Sequence, residues 1–192
     1  GNLDTLPLPD YSDFEDDIKS RLYREPHRLD IFDSRSCPTR CHFCSEWQFW
    51  GKFRTKSGKR IYKEIVQLMD KFPQVNYFYF IGSLVNGNME SLNAFSDLVI
   101  AHKLKIQWAG QAVIRPEMTL DFLKKLKRSG CVWLSYGIES GSQRVLENMN
   151  KRFSLAVASK VLRETKEAGI STQANFMFGL PTETREDFNQ TL

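Results

Sequence analysis

The stretch RLDIFDSRSCPTRCHFC, residues 28–44, decides the fold and raises the first chemical question. Its apolar beginning, RLDIFDS, predicts a β-strand, and three cysteines follow it closely: Cys37, Cys41 and Cys44. The only other cysteine, Cys131, lies far along the chain. A tetrahedral metal ion or an iron–sulfur cluster normally takes four protein ligands. Either another side chain completes this site, or one metal position stays open.

Beyond the cysteine loop, predicted strands alternate with predicted helices. Runs of apolar and aromatic residues predict the strands RLDIFDS (28–34), VNYFYFIG (75–82), KIQWAG (105–110), CVWLSYGIE (131–139) and ISTQANFMFGLP (170–181). Helical periodicity and capping residues predict helices around 57–71, 89–102, 119–130, 141–149 and 154–168, and a further helix begins in 182–192. This alternation indicates an α/β fold with parallel strands and right-handed crossovers, a barrel or part of one. The dense run YFYFI suits a strand that is covered on both faces.

In parallel α/β folds, ligands gather at the carboxyl ends of the strands. The cysteine loop follows the first predicted strand and therefore lies at this end. The other segments to examine come just after residues 81, 110, 138 and 178.

The composition is that of a globular protein and excludes several functional classes. The 192 residues carry a formal net charge of +4, with 41% hydrophobic and 26% charged residues. No apolar run reaches the roughly 18 residues that a membrane helix needs, so no membrane partner is expected. Basic residues are spread along the chain, which favours solvated helix faces over a nucleic-acid surface. Three crowded cysteines argue against a secreted disulfide scaffold and predict a cytoplasmic metal protein.

Residues 1–26 differ in composition from the rest of the chain. They hold three of the seven prolines and an acidic run formed by Asp10, Asp13, Glu15, Asp16 and Asp17. This composition predicts a linker or lead-in segment with at most a short helix around residues 12–22. Residues 27–192 form the predicted core domain, truncated at its C-terminus, where the last predicted helix is cut off.

The cysteine loop fits three kinds of metal site. Structural zinc would use the three cysteines with His42 or a distant residue, but adjacent residues such as Cys41 and His42 seldom bind one tetrahedral ion, and no second ligand pair follows. A ferredoxin-type cluster needs a fourth thiolate and usually a different spacing. The third possibility is a 4Fe-4S cluster held by three thiolates, with one iron left open for chemistry.

The spacing C-x3-C-x2-C after the first strand, with Phe43 before the last cysteine, resembles the signature of the radical S-adenosylmethionine superfamily. Three further stretches resemble a subgroup whose members often carry a cobalamin-binding domain upstream: SEWQFWGKFRTKS (45–57), LSYGIESGSQRVLENMNK (134–151) and GISTQANFMFGLPTETREDF (169–188). The lead LPLPDYSDFED (6–16) resembles the segment that joins such a domain, absent here, to the core. The resemblance covers essentially the whole chain and implies a partial TIM-like parallel (βα) barrel, with about five βα units of an expected six.

The resemblance implies an enzyme in which Cys37, Cys41 and Cys44 hold a 4Fe-4S cluster. With an electron from an external donor such as flavodoxin or ferredoxin, the cluster would cleave S-adenosylmethionine to methionine and a 5'-deoxyadenosyl radical. The subgroup adds cobalamin-dependent methyl transfer in the full protein as an expectation. The alternatives are a zinc module or an electron-transfer module without catalysis. The sequence identifies neither the substrate nor a catalytic residue.

The resemblance also implies which residues bind S-adenosylmethionine. Gly82 and Ser83 occupy the loop for its amino group; because relatives carry an acidic residue where Gly82 stands, backbone carbonyls would make this contact. Glu139 is implied in ribose or amino contacts, and Lys151 or Arg115 in binding the carboxylate. The remaining candidates are Gln111 for ribose or substrate, and Phe43 and Met177 as apolar walls for adenine. Each residue also has a structural alternative: a turn, a helix first turn, a surface charge or core packing.

Overall fold

The computed structural model describes residues 2–22 and 28–192. The strands of this part of the chain are β1 (Arg28–Ile31), β2 (Ser34–Arg35), β3 (Arg54–Thr55), β4 (Tyr77–Phe80), β5 (Gln107–Ala112), β6 (Cys131–Glu139) and β7 (Ser171–Phe176). Its α-helices are α1 (Glu15–Leu22), α2 (Glu46–Trp50), α3 (Gly58–Lys71), α4 (Met89–Ala101), α5 (Leu120–Arg128), α6 (Gln143–Asn148), α7 (Leu155–Glu167) and α8 (Arg185–Thr191). None of these helices has the length and apolar character that crossing a lipid bilayer requires.

Five strands form one sheet in the order β1-β4-β5-β6-β7, and every neighbouring pair is parallel. Each of the five predicted strands contributes one member, and a helix follows each, so the predicted five βα units are confirmed. Strands β2 and β3 were not predicted and form a separate antiparallel pair that encloses the cysteine loop and α2. They are only two residues long, too short for an alternating pattern to reveal them.

Side-chain caps define where the helices begin, as the sequence indicates. The hydroxyl of Ser57 accepts a hydrogen bond from the backbone N–H of Arg60 at the start of α3, and Thr119 does the same for Phe122 at the start of α5. Gly130 and Gly169, which follow α5 and α7, adopt positive φ values of 96° and 77°. Such angles suit glycine at the end of a helix, so these two residues return the chain toward the next strand.

The main core lies between the sheet and the layer of helices α3, α4, α5 and α7, which contact one another in that order. At its centre the rings of Phe80, Phe95 and Trp108 pack edge to face with centroids 5.4–6.0 Å apart. The expectation that the YFYFI strand is covered on both faces is wrong. Side chains alternate along β4, so Phe78 and Phe80 are buried under the helices while the two tyrosines are only half-buried on the opposite face.

The N-terminal segment contacts the core. Leu3 is buried, the Asp4 carboxylate accepts a hydrogen bond from the backbone N–H of Ser57, and the ring of Tyr11 packs on that of Phe72. Helix α1 falls in the range predicted for a short helix. The predicted boundary between the lead-in segment and the core, at residues 26 and 27, lies outside the described residues, and that division stays a prediction.

A buried ion pair lies beneath the carboxyl end of β1. The ammonium of Lys56 is 2.5 Å from a carboxylate oxygen of Glu64, and both side chains are less than 10% exposed. The backbone N–H of Lys56 donates to the carbonyl of Asp33, which ties the segment after β3 to the segment after β1. Removing one partner of such a pair leaves an uncompensated buried charge.

We expect Lys56→Met to lower the free energy of unfolding by about 3–5 kcal/mol, because Glu64 would lose its counter-charge in a dry environment. The matched control is Lys160→Met, which removes a lysine from the surface pair with Glu164. That change should cost no more than about 0.5 kcal/mol. Urea unfolding of both variants measures the difference, and equal losses would contradict a structural role for the buried pair.

Candidate active site

The largest group of predicted site residues meets in one cavity of about 390 Å³ at the carboxyl edge of the sheet. The predicted residues that line it are Cys37, Cys41, Phe43, Cys44, Gly82, Ser83, Gln111, Glu139 and Lys151. They come from the loops after β1 and β4, from β5 and β6, and from the segment after α6. Parallel strands end at the same edge, which brings these distant segments together.

The cysteine loop presents three free thiols to this cavity. The hydroxyl of Thr39 lies 2.9 Å from the sulfur of Cys37 and accepts a hydrogen bond from the thiol of Cys41 at 3.8 Å. Burial raises the pKa of the Cys37 thiol, and the hydrogen bonds with Thr39 offset part of this shift. Cys131, by contrast, is fully buried at the opposite end of β6, where it packs in the core.

An ion pair forms one wall of the cavity. The ammonium of Lys151 lies 3.1 Å from a carboxylate oxygen of Glu139 and donates to the carbonyl of Gly137 at 2.9 Å. It also lies 5.7 Å from the ring centroid of Phe43. The alternative role of Glu139 in capping the next helix is not seen, because the hydroxyl of Ser142 caps α6. Glu139 instead ends its strand at a φ of 72°, a strained angle for a residue with a side chain.

The same cavity contains a carboxylate that the sequence did not predict. The hydroxyl of Ser83 donates a 2.6 Å hydrogen bond to Glu46, the first residue of α2. Glu46 also lines the cavity, two positions after Cys44. A Cβ at position 82 would lie 2.2 Å from a carboxylate oxygen of Asp33 and 2.4 Å from the hydroxyl of Ser34, so a larger residue there would require both side chains to move. The second carboxylate of the cavity is therefore that of Glu46, on the helix that follows the cysteine loop.

A third wall is polar but uncharged. The amide of Asn175 on β7 donates to the hydroxyl of Ser135 on β6 at 2.9 Å, and both line the cavity beside Gln111. Sequence reasoning missed Ser135 and Asn175 because no spacing signal marks an isolated polar residue on a strand. The alternation of side chains along β6 and β7 provided the available signal, since it places such residues on the face opposite the helices.

Arg115 and Met177 lie outside this lining. The guanidinium of Arg115 donates to the carbonyl of Gly87 at 3.3 Å and lines a neighbouring cavity that also contacts Cys41 and Lys151. Met177 is half-buried, and its backbone N–H donates to the carbonyl of Glu139 at 2.9 Å. Met177 therefore continues the pairing of β7 with β6 beyond the last strand residue.

Comparison with known proteins identifies the family of this chain. The sequence profile of the radical SAM superfamily matches residues 31–192. The chain belongs to the radical SAM superfamily. Members of this family use a 4Fe-4S cluster and S-adenosylmethionine. The assignment of Cys37, Cys41 and Cys44 in this radical SAM domain as ligands of such a cluster stays a prediction.

Curated relatives and a solved structure show what this radical SAM domain is similar to. The anaerobic magnesium-protoporphyrin IX monomethyl ester cyclase of Cereibacter sphaeroides is 31% identical over 82% of this chain and 26% of the relative. The cytidylyl-2-hydroxyethylphosphonate methyltransferase of Streptomyces wedmorensis is 27% identical over 94% of this chain and 35% of the relative. The methyltransferase TsrM from Kitasatospora setae, solved with cobalamin and a [4Fe-4S] cluster bound, aligns with a TM-score of 0.79 at 17% identity, over 90% of this chain and 35% of TsrM.

These alignments confirm the predicted partial TIM-like barrel, and the chain spans between 26% and 35% of the length of these three proteins. The residues present fit the cofactors of the family. Three thiols reach one cavity that also holds carboxylates and an ammonium group. No three His, Cys, Asp or Glu side chains in the described ranges are arranged around a single metal ion. A cluster does not need that arrangement, because each thiolate binds a different iron.

A buried carboxylate supports the loop that carries Gly82 and Ser83. Asp33 is only 4% exposed, and it accepts a 3.2 Å hydrogen bond from the backbone N–H of Gly82. Burial raises the pKa of Asp33 to about 6, since the hydrogen bonds to its carboxylate and the nearby charge of Lys56 offset only part of the desolvation.

This raised pKa predicts a pH dependence of stability. Between about pH 4 and pH 6 the folded protein binds the Asp33 proton more tightly than the unfolded chain, so stability falls as the pH rises through this window. Asp33→Asn keeps the oxygen that accepts from Gly82 and removes the titration. From pH 4 to pH 7 the native protein should therefore lose about 1–3 kcal/mol of unfolding free energy that the variant keeps. Urea unfolding across this range measures the difference, and a constant difference would contradict the assignment.

Proposed function

We propose that this chain is the core domain of a radical SAM enzyme, in which Cys37, Cys41 and Cys44 hold a 4Fe-4S cluster and one iron stays open for S-adenosylmethionine. The observation that carries the proposal is the meeting of three free thiols with two carboxylates and one ammonium group in a single cavity. When bound, the cluster supplies the electron that cleaves S-adenosylmethionine to methionine and a 5'-deoxyadenosyl radical. The residues of the chain bind and orient the molecule that is cleaved.

The charged walls match the methionine part of S-adenosylmethionine, which carries an ammonium and a carboxylate. Lys151 provides the cation for the carboxylate, and Glu139 holds Lys151 in place at 3.1 Å. Glu46 provides the acceptor for the ammonium group together with the hydroxyl of Ser83. Because position 82 is a glycine, its side chain offers no carboxylate, and we assign the ammonium contact to Glu46 in place of the backbone carbonyls near Gly82.

The other candidate residues are assigned to the rest of the molecule. Gln111 offers an amide to ribose or substrate from the strand end. Phe43 is 41% exposed beside a smaller apolar cavity, which suits an adenine ring. Met177 remains a proposed wall for adenine, and Arg115 a proposed second cation that would have to leave the carbonyl of Gly87.

The activity of the whole protein extends this proposal. Similarity to methyltransferases, including TsrM with its bound cobalamin, supports cobalamin-linked methyl transfer on a substrate that the described residues do not identify. An external one-electron donor of the flavodoxin or ferredoxin type would reduce the cluster. Free thiols and a reducible cluster suit the reducing cytoplasm.

Iron binding tests the cluster. Anaerobic reconstitution with iron and sulfide should give a brown protein with about four irons per chain. Changing Cys37, Cys41 and Cys44 together to alanine should abolish this iron, because the variant loses all three thiolates. Cys131→Ala, the matched control at the other end of the barrel, should keep it. Iron and sulfide analysis measures both outcomes, and a colourless protein with one zinc per chain would overturn the proposal.

The assignment of Glu46 is tested by binding of S-adenosylmethionine to the reduced cluster. Glu46→Gln should weaken this binding about tenfold or more, because the ammonium group loses a charged acceptor in a half-buried site. Glu90→Gln, which changes an exposed glutamate in the first turn of α4, is the control and should bind normally. The shift that the ligand produces in the paramagnetic spectrum of the cluster gives the affinity. Equal affinities for both variants would remove Glu46 from the site.

A further inference from the structure

A basic and aromatic surface flanks the cysteine loop, and none of its residues lines the cavity described above. We define this basic aromatic face by the residues Arg35, Arg40, Lys52, Arg54, Phe49 and Trp50. Arg35, Arg40 and Lys52 are exposed, and Phe49 is 78% exposed although it is a large apolar residue. Exposed side chains of this size that cluster beside charges mark interaction sites.

The four cations of this face have no internal counter-charge. None of them forms an ion pair among the residues that the structure describes. Between residues 34 and 55 the sequence has a single carboxylate, Glu46, and its side chain bonds to Ser83 in the cavity. The face therefore presents uncompensated positive charge to the solvent.

The arginines are held close together at an energetic cost. Arg35 and Arg54 are direct partners across the β2–β3 pair, and like charges in such positions destabilise a sheet. The guanidinium of Arg35 lies 5.4 Å from the ring of Trp50, and that of Arg54 donates to the carbonyl of Trp50 at 3.0 Å. An anionic partner that touches both arginines would relieve this repulsion.

The face is connected directly to the proposed cluster ligands. Helix α2, which carries Phe49 and Trp50, begins two residues after Cys44. The indole N–H of Trp47 donates to the carbonyl of Cys41 at 3.2 Å, and the guanidinium of Arg40 lies 5.9 Å from the Trp47 ring. A protein bound here would therefore sit beside the loop that holds the cluster.

From this arrangement we propose that the basic aromatic face is the docking site of an acidic one-electron carrier protein. This inference rests on the proposed function, because it needs a cluster that accepts an electron. One electron passes from the carrier to the cluster, and no bond is made or broken. Negative charge on the carrier complements the four cations, and Phe49 and Trp50 supply the apolar centre of a small transient interface. Ribonucleic acid is the competing partner for a surface of this chemistry. It is favoured less because the face adjoins the loop of the proposed cluster ligands, where an electron carrier has to bind.

The test compares two double variants of the full chain with equal changes of charge. Arg35→Glu with Arg54→Glu should weaken binding of reduced flavodoxin at least tenfold at low salt. Lys127→Glu with Arg128→Glu, at the end of α5 next to the amino end of β6, should change it less than twofold. Binding of the native chain should also weaken as salt rises, because screening shortens from about 10 Å at 0.1 M to about 3 Å at 1 M. Equal losses in both double variants would overturn the proposal.

Two further measurements separate the possible outcomes. Dithionite needs no docking site, so it should reduce the Arg35 and Arg54 double variant at the native rate. The iron content of this variant shows whether its cysteine loop is intact. Phe49→Ala should weaken flavodoxin binding without any change of charge. If the native chain binds a single-stranded RNA through Arg35 and Arg54 but does not bind flavodoxin, the proposal is wrong. Flavodoxin binding is also measured on the chain without the cluster. If the native chain binds flavodoxin but takes up no iron, this contradicts the proposed function and not the docking site.

Discussion

The parallel alignment of five strands is the constraint on which the rest of the structure depends. Because β1, β4, β5, β6 and β7 all run in one direction, their carboxyl ends meet at one edge. Cys37 and Asn175, which are far apart in sequence, therefore line the same cavity. The cysteine spacing alone would bind metal anywhere on a surface. The sheet adds a floor and the charged side chain of Glu139, which holds Lys151, and these convert a metal-binding loop into a site that can orient a ligand.

The charges of that site are arranged before any ligand arrives. A buried ammonium is costly unless it is paired, and Lys151 meets this condition through Glu139 and the carbonyl of Gly137. The φ of 72° at Glu139 costs on the order of 1–3 kcal/mol, which the surrounding strand pairing must offset. A zwitterion is the ligand that disturbs this balance least, because it brings one charge of each sign to walls that already carry both. The strained backbone at Glu139 therefore accompanies the position from which its carboxylate pairs with Lys151.

Sequence reasoning recovers the features that local rules control. The five parallel strands and the caps Ser57 and Thr119 follow from periodicity and capping residues. The candidate residues came from the family resemblance, and the rule that parallel strands end at one edge explains why nine of them line one cavity. Features that depend on side-chain direction or on tertiary contact do not follow. Glu46 resembles any first-turn glutamate until α2 turns it toward Ser83, and Arg115 leaves the cavity lining because the carbonyl of Gly87 binds its guanidinium. The β2–β3 pair is missed because its strands are too short to carry a pattern.

The position of the second carboxylate has a consequence for how the site assembles. The side chains of Asp33 and Ser34 occupy the space where a Cβ at position 82 would lie, so the carboxylate proposed for the ammonium group comes from α2, where Ser83 of the β4 loop bonds to it. Helix α2 follows Cys44 directly, and Trp47 ties it back to Cys41. In the proposed function, the thiolates that bind the cluster and the carboxylate that binds the ammonium group are therefore held by one short continuous segment of the chain.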